Sequence, residues 1–209
     1  MNDILKIWGR ANSINVKKVV WTAQELGLEF QRTEAGGQFG LVKTPEYIAM
    51  NPNSLVPAIQ DGDFVLWESN VIVRYLLAKH SSGQMYPTGL QERFDAERWM
   101  DWQQTTWNPA SRPAFWQLIR TPAEQRDAAA IAASSAAVEV LMARLDAYLA
   151  NRSYMVGERF TMADIPLACE VHRWFGLPQP RQSHANVERW FGSLQARQAS
   201  KGVLDMALT

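Results

Sequence analysis

The period of the apolar residues changes near residue 80 of the 209-residue chain. Before that point, short apolar runs typical of strands alternate with segments whose apolar residues recur every three or four positions, in the order βαβαββα. After it, the chain carries helix-start signals and no convincing strand. This change predicts an α/β domain over residues 1–80, a linker over 81–90 and an all-helical domain over 91–209.

Four strands and three helices are predicted in the first eighty residues. The strands are 4–8, 28–34, 57–61 and 64–67, and the helices are 15–26, a short one that starts at Pro45, and 69–79. Asp61-Gly62 is a strong signal for a tight hairpin turn between the last two strands. Pro57 opens the third strand without an N–H, so the strand either lies at an edge or pairs there with something other than this chain.

Prolines and capping signals bound the helices of the second half. The first long helix is expected to bend or break at Pro109 and Pro113. The sequence "TPAE", from Thr121, predicts a capping box that opens a helix reaching about Leu149. A second box, whose acid is Asp164, opens the next helix, and one more helix follows it.

Charge and cysteine content argue against several classes of function. The chain has 21 basic and 21 acidic residues and a net charge of zero, which argues against nucleic acid or an anionic membrane as the main partner. The one cysteine, Cys169, rules out an intrachain disulfide framework and a cysteine-based zinc site. His80, His172 and His184 lack the spacing of metal ligands, so no metal is expected.

The start of the chain and its apolar runs predict the compartment. Met1-Asn2-Asp3 lacks the basic start and the following apolar run of a signal peptide. No uninterrupted apolar run approaches the roughly 20 residues of a membrane span. We therefore expect a soluble, cytoplasmic protein without a membrane partner.

Three segments in order carry a resemblance to a known family. They are "NPNSLVPAI" from Asn51, "LWESNVIVRYL" from Leu66 and "YMVGERFTMADIPLA" from Tyr154. Together they make the chain similar to the cytosolic glutathione transferases, of a bacterial, serine-type kind, over nearly its whole length. The resemblance implies a thioredoxin-like βαβαββα domain, an all-helical C-terminal domain and a homodimer. It also implies an enzyme of detoxification that conjugates the glutathione thiolate to a hydrophobic electrophile.

The resemblance implies a glutathione site along the edge that Pro57 opens. In the family the matching proline is cis, which leaves the backbone N–H and C=O of Val56 free to bind the tripeptide as an added strand. Ser69, at a helix N-terminus, would bind the γ-glutamyl carboxylate, and Glu68 would pair with the α-ammonium. The alternative for these two residues is a helix cap and an acid that compensates the helix dipole.

The resemblance places activation of the glutathione thiol between the first strand and the first helix. No tyrosine occurs before Tyr47, so the tyrosine-type members of the family do not match. Alignment with the serine-type pattern puts Ser13 on the activating hydroxyl, with Asn12 as its rival and Asn15 as a flanking amide that binds glutathione. Ser13 or Asn12 could instead act only as the N-cap of the helix.

The contact for the glycyl carboxylate departs from the family pattern. Many relatives carry a lysine or histidine just before the cis-proline, where this chain has Ser54 and Leu55. Gln38 is the candidate donor, because the glycines around it allow close approach of the backbone. The alternative for Gln38 is a flexible loop in solvent.

A pocket for the hydrophobic electrophile is implied beside the thiol. Its candidate residues are Trp102, Trp107 and Trp116 of the helical half, with Arg10 as a source of positive charge. The alternatives are a place in the helical core for the aromatic residues and solvent for Arg10. Two other functions stay open, namely glutathione-dependent reduction of peroxides or disulfides, and a non-catalytic binding or interaction module of the same fold.

Overall fold

The computed structural model describes residues 4–209, which separate into two compact units. The first unit reaches to Tyr86 and the second is Pro87–Thr209. Their boundary falls inside the segment 81–90 that the sequence marks as a linker. Met1, Asn2 and Asp3, from which the absence of a signal peptide was inferred, lie outside the described residues.

The first unit is a four-stranded sheet with three helices. Its elements are β1 (Leu5–Trp8), α1 (Ile14–Glu25), β2 (Phe30–Thr33), α2 (Pro45–Met50), β3 (Ala58–Asp61), β4 (Phe64–Trp67) and α3 (Ser69–His80). The strand order is β2-β1-β3-β4, with β1 parallel to β2 and antiparallel to β3, and with β3 antiparallel to β4. This mixed sheet confirms the predicted βαβαββα order and its thioredoxin-like arrangement.

Two apolar layers bury the sheet of the first unit. The larger layer joins β1 and β3 to α1 and α3 through Leu5, Ile7, Val19, Ala23, Ile59, Ile72 and Leu76. The smaller one consists of Ala35, Tyr47 and Ala58. Because α1 and α3 pack on each other in the larger layer, the first residue of α3 can lie beside the second turn of α1.

Within the described residues, the second unit contains helices and their connecting loops but no strand. Its helices are α4 (Leu90–Trp102), α5 (Asn108–Phe115), α6 (Ala128–Leu149), α7 (Asp164–Phe175) and α8 (Ala185–Gln195). Of the two alternatives predicted at Pro109 and Pro113, a bend or a break, the break does not occur, because the helical path continues through both residues. Wider π-helical turns lie before α5, at Gln103–Trp107, and after it, at Trp116–Arg120. Pro109 lies in the first turn of α5, where its missing N–H costs least.

The start of α6 differs from the prediction. Pro122 precedes only a short 3₁₀ turn, Ala123–Gln125, and α6 begins after Asp127. The Asp127 carboxylate accepts hydrogen bonds from the N–H groups of Ala129 and Ala130, at 2.9 and 3.0 Å. Asp127 therefore satisfies two free donors of the first turn, and the predicted capping box at Thr121 does not form the helix start.

We expected no apolar run of membrane-spanning length, but α6 has the length and mean hydropathy of such a span. By length and composition alone it is one helix that could cross a membrane, because its first half is rich in alanine. Val140 is exposed, whereas five of the other larger apolar residues of α6 form one buried stripe: Val138, Leu141, Met142, Leu145 and Leu149. This stripe packs within the helical unit, where α6 contacts α5 and α8. A single buried stripe of this kind is typical of a helix that packs one face on the core of a globular unit.

The start of α7 is held by a buried carboxylate, as predicted. Asp164 accepts hydrogen bonds from the N–H groups of Thr161 and Met155 and from Nε1 of Trp190, each at 2.9 Å. The Thr161 hydroxyl donates to the same carboxylate at 3.3 Å instead of capping the helix. Burial raises the pKa of Asp164 to about 6, although these donors act to lower it.

Candidate active site

Gly9 brings three parts of the first unit together at the end of β1. Its N–H donates to the C=O of Thr33 at 2.9 Å, and its own C=O accepts from Nη1 of Arg32 at 2.8 Å. Its φ is +154°, and a Cβ at this position would lie 2.3 Å from Cγ2 of Val16 and 3.3 Å from Cβ of Val56. Only glycine allows this close approach of β1, α1 and the residue before Pro57.

Ser13 follows this turn and occupies the N-cap position of α1. Its N–H donates to the C=O of Arg10, and its C=O accepts from the N–H of Lys17. The side chain makes no capping hydrogen bond, although only 9 % of the residue is exposed. The backbone thus follows the capping alternative, while the hydroxyl that the catalytic alternative requires is left for another partner.

The two asparagines predicted with Ser13 lie on either side of it. Asn12 is half-buried in the turn, and Asn15 lies in the first turn of α1. The Oδ1 atom of Asn15 is buried and accepts no hydrogen bond from residues 4–209. A ligand donor would satisfy this acceptor, so Asn15 is compatible with the predicted role as a glutathione-binding amide.

The Val56-Pro57 peptide bond is cis, as the family resemblance implies. The C=O of Leu55 just before it accepts from Oη of Tyr47 at 2.7 Å and from Nδ2 of Asn51 at 2.9 Å. Burial raises the pKa of Tyr47 to about 12, so its hydroxyl stays a donor at neutral pH. Within residues 4–209, the backbone N–H and C=O of Val56 form no hydrogen bond. They are therefore available to an extended peptide.

Glu68 and Ser69 lie where β4 turns into α3. Glu68 is exposed and has φ +71° and ψ 107°, a conformation that non-glycine residues rarely adopt and that clusters at functional sites. Its side chain makes no capping bond, and Ser69 is the first helical residue, 4 % exposed. The free N–H groups of this helix start and the Ser69 hydroxyl form an anion-binding arrangement.

Lys18 is a member of this site that the sequence interpretation missed. It is fully buried on α1, and its Nζ donates to Oγ of Ser69 at 3.4 Å. The sequence offered one sign of its burial. Lys18 lies one helical turn from both Ile14 and Thr22, and Thr22 is also fully buried on α1. A lysine on the buried face of a helix is uncommon and points to a specific partner.

Arg10 and Gln38 lie on the loop side of the same region. A Cβ on Gly36 would lie 3.0 Å from Nη1 of Arg10 and 3.2 Å from Cγ1 of Val56, so Arg10 runs along this glycine loop. Gln38 is exposed in the 3₁₀ turn Gly37–Phe39 that follows. Arg10 and Val56 thus both lie beside Gly36, and Gln38 follows Gly36 by two residues in the chain.

The tryptophans predicted for the electrophile pocket have different environments. Trp107 is fully buried and meets Trp102 edge to face, with ring centroids 5.5 Å apart. Trp102 meets Trp99 in the same way at 5.2 Å. The environment of Trp107 corrects its assignment to an open pocket, because it is that of a core residue of the helical unit. Trp116 is 51 % exposed and keeps the pocket role as a prediction.

Metal-ligand groupings do not occur among residues 4–209, where no three histidine, cysteine, aspartate or glutamate side chains come together as a metal ion would require. Cys169 is fully buried in α7, in keeping with the small apolar role expected of a cysteine there.

Two family models and several relatives match most of the chain. The models described as the glutathione S-transferase N-terminal and C-terminal domains match residues 4–78 and 105–198. Glutathione S-transferase GstB of Escherichia coli (strain K12) is 42 % identical over 176 residues, 83 % of this chain and 85 % of that protein. Elongation factor 1-gamma 1 of Oryza sativa subsp. japonica is 32 % identical over 133 residues, 64 % of this chain and 31 % of that protein.

Among solved structures, a theta class glutathione S-transferase from Xanthomonas axonopodis pv. citri with glutathione bound is 44 % identical. The alignment covers all of both chains with a TM-score of 0.96. These matches agree with the mixed sheet, the cis-proline that precedes the inner strand β3, and the helix starts at Ser13 and Ser69. The chain therefore belongs to the glutathione S-transferase family.

Proposed function

We propose that this glutathione transferase joins the glutathione thiolate to a hydrophobic electrophile, with the Ser13 hydroxyl stabilising the thiolate. One observation carries the proposal. Ser13 stands at the N-cap of α1, yet its hydroxyl makes no capping bond. A hydroxyl donor beside the free N–H groups of a helix start is an environment that favours a thiolate.

The tripeptide is held beside the cis-proline, just before the start of β3, in this proposal. The backbone of Val56 pairs with the cysteinyl residue as an added strand. Ser69 and the start of α3 bind the γ-glutamyl carboxylate, and the exposed carboxylate of Glu68 pairs with the α-ammonium. Asn15 accepts a donor of the ligand through its buried Oδ1 atom.

The glycyl carboxylate lies toward the glycine loop. Arg10 runs along Gly36 and Gly37 there, and Gln38 follows in the exposed 3₁₀ turn. A guanidinium and an amide N–H are both suitable donors for a carboxylate. Together they take the place of the lysine or histidine that Ser54 and Leu55 do not provide.

The chemical step needs ionisation of the thiol and attack by the sulfur. A free cysteine thiol has a pKa of about 8.5 and is mostly protonated at neutral pH. In the site the thiol releases its proton to solvent, and the Ser13 O–H donates to the sulfur. The thiolate then forms the bond to the electrophilic carbon, and the leaving group departs with its electron pair. Asn12 is the alternative donor to the sulfur.

The electrophile is apolar in this proposal, because exposed aromatic surface such as Trp116 favours apolar ligands. Domain roles follow, with glutathione bound by residues 1–80 and the electrophile contacted by residues 91–209. A homodimer that acts in cytoplasmic detoxification, with neither a metal, nor nucleic acid, nor a membrane as partner, completes the proposal.

Calorimetric titration of glutathione in two buffers of different ionisation enthalpy tests the site. Wild-type protein should bind glutathione and release protons at neutral pH. Ser13→Ala should bind with a Kd within about twofold of wild type but release fewer protons, while Ser69→Ala should raise Kd by about tenfold. Equal loss of affinity and of proton release in both variants would contradict these separate roles.

The remaining alternative from the sequence is a non-catalytic interaction module of the same fold. This candidate predicts no heat of glutathione binding in the same titration. Reduction of peroxides or disulfides uses the same thiolate and differs only in the atom attacked. Assays of the wild-type enzyme with hydroperoxides, mixed disulfides and aromatic halides separate that activity from conjugation.

A further inference from the structure

Two arginines of the helical unit lie over the ring of Phe115, the last residue of α5. The guanidinium carbon of Arg173, on α7, is 4.8 Å from the ring centroid, and that of Arg120 is 5.4 Å from it. The face of an aromatic ring attracts a cation at such distances. Arg120 is the last residue of the π-helical turn that begins at Trp116, directly after Phe115, so the ring connects the two ends of this turn.

The π-helical turn Trp116–Arg120 also has contacts with the segment that follows it. Turns of this kind are rare, occur mostly as single turns and are frequent at functional sites. The hydroxyl of Thr121 donates to the C=O of Trp116 at 3.2 Å, and Nη2 of Arg126 donates to the C=O of Leu118 at 2.8 Å. These bonds hold two carbonyl groups of the turn, and the contact with Arg173 joins the turn to α7.

Arg173 is itself held by a buried polar cluster. The residue is buried, and its Nη1 donates to Oδ1 of Asn108 at 3.2 Å and lies 3.8 Å from the carboxylate of Glu170. Glu170 is fully buried and also accepts from the hydroxyl of Ser111 at 3.1 Å. A planar guanidinium between an amide and a carboxylate has a defined orientation. The cluster therefore fixes the guanidinium that lies over Phe115.

We propose that Arg173 is a positioning residue for aromatic electrophiles, because it holds the Phe115 ring and thereby fixes the turn that presents Trp116. The indole of Trp116 is 51 % exposed, and its direction depends on the backbone of this turn. An indole held in one orientation can stack on a flat aromatic ring. The inference rests on the proposed function, to which it adds a preference for aromatic substrates and a buried residue that acts through another side chain.

Benzyl chloride and chloromethane test the inference, because both lose chloride from a saturated carbon and only the first has a phenyl ring. Arg173→Lys is the central variant, since lysine keeps the charge beside Glu170 but lacks the planar guanidinium. We expect KM for benzyl chloride to rise by about fivefold, with kcat and both KM for chloromethane and KM for glutathione within about twofold of wild type. Arg181→Lys is the matched control and should change none of these, because the Arg181 guanidinium lies 4.6 Å from the ring of Phe175 instead.

Variants of Phe115 and Trp116 show whether Arg173 acts through them. Phe115→Leu removes the ring under both arginines and should raise KM for benzyl chloride as Arg173→Lys does, whereas Phe115→Tyr keeps the ring and should behave as wild type. Trp116→Ala should also raise this KM. Arg173→Lys should add nothing in the Trp116→Ala background, because residues that act on one contact have non-additive effects. Should Arg173→Lys fail to fold, Phe115→Leu takes its place in each comparison.

Four results overturn the inference. The first is an unchanged KM for benzyl chloride in Arg173→Lys and Phe115→Leu, and the second is an equal loss with both halides, which would indicate a general structural role. The third is an additive loss in the variant that combines Arg173→Lys with Trp116→Ala. The fourth is a wild-type protein that binds glutathione but does not conjugate it to benzyl chloride. A wild-type protein that fails to bind glutathione contradicts the proposed function itself, and the calorimetric titration distinguishes that result from the other four.

Discussion

Two helix starts in each unit differ in whether a side chain closes them, which here means that it accepts hydrogen bonds from backbone N–H groups. In the helical unit, Asp127 closes α6 by accepting from two N–H groups of its first turn, and Asp164, the first residue of α7, accepts from the N–H of Thr161 just before that helix. In the first unit, Ser13 and Glu68 occupy the cap positions of α1 and α3 but make no side-chain capping bond. The side chains at the starts of α6 and α7 are thus engaged within the fold, whereas those at α1 and α3 make no capping bond, and the proposed function assigns these two starts to glutathione.

The largest expected effect tests the closed start of α7. Asp164→Ala removes the acceptor for buried donors of Met155, Thr161 and Trp190, each of which then lacks a partner. We expect a loss of at least about 4 kcal/mol in the free energy of unfolding, or failure to fold. Urea unfolding measures this loss. A loss below about 1 kcal/mol would show that these donors find other partners, and the comparison would lose its strongest case.

The contribution of Asp164 to the free energy of unfolding should also depend on pH. The pKa of Asp164 is about 6 in the folded protein, raised by burial, and near 3.9 in an unfolded chain. The folded state binds this proton more tightly, so the contribution is fully present below about pH 4 and is lost as the pH rises through about 6. Two pKa units correspond to about 3 kcal/mol.

The measurement compares urea unfolding of wild type and Asp164→Asn across this pH range. Asparagine cannot ionise, so other carboxylates contribute equally to both proteins. Wild type should lose up to about 3 kcal/mol relative to the variant between about pH 4 and about pH 6. A constant difference between the two proteins would mean that Asp164 keeps an ordinary pKa when folded.

At the open start of α1, a substitution should lower turnover and leave the stability of the fold nearly unchanged. Ser13→Ala removes a hydroxyl that makes no capping bond, so the free energy of unfolding should change by less than about 0.5 kcal/mol. Turnover should fall by about 100-fold, since the hydroxyl is proposed to stabilise a developing charge. Steady-state kinetics at saturating glutathione and urea unfolding measure the two quantities. A stability loss near 1 kcal/mol with normal turnover would make Ser13 an ordinary cap.

The smallest expected effect is at α6, which supplies the control. Asp127→Ala removes a surface cap that accepts from Ala129 and Ala130. We expect a loss of about 1 kcal/mol in the free energy of unfolding, with kcat and KM for glutathione unchanged. An altered KM for glutathione would show that closed helix starts also affect the site, which would remove the distinction drawn between the two units.

Some of the sequence predictions were wrong where two local signals competed. Thr121 and Asp127 are both good cap residues, and the prediction chose the first. The helix begins at Asp127, whose carboxylate satisfies two N–H groups at once. Pro109 and Pro113 were expected to bend or break the helical path, and no break occurs, since the path continues through both residues between two π-helical turns. A strong local sequence signal therefore did not predict either the start of α6 or the path of α5.

The sequence by itself determined the βαβαββα order, the helical second half, the hairpin at Asp61-Gly62 and the carboxylate at Asp164. Each of these depends on neighbouring residues through backbone preference, turn chemistry or capping. Its residues also carried the family resemblance, and with it Ser13, Val56 and Ser69 as candidates for the site.

Only the tertiary structure decided that Lys18 meets Ser69, that Trp107 is a core residue, and that the Ser13 hydroxyl is not used in capping. Lys18 and Ser69 are 51 positions apart and meet because α1 and α3 pack on the same layer of the core. Local patterns depend on contacts a few residues apart, whereas burial and the partner of a charged group depend on which helices pack together.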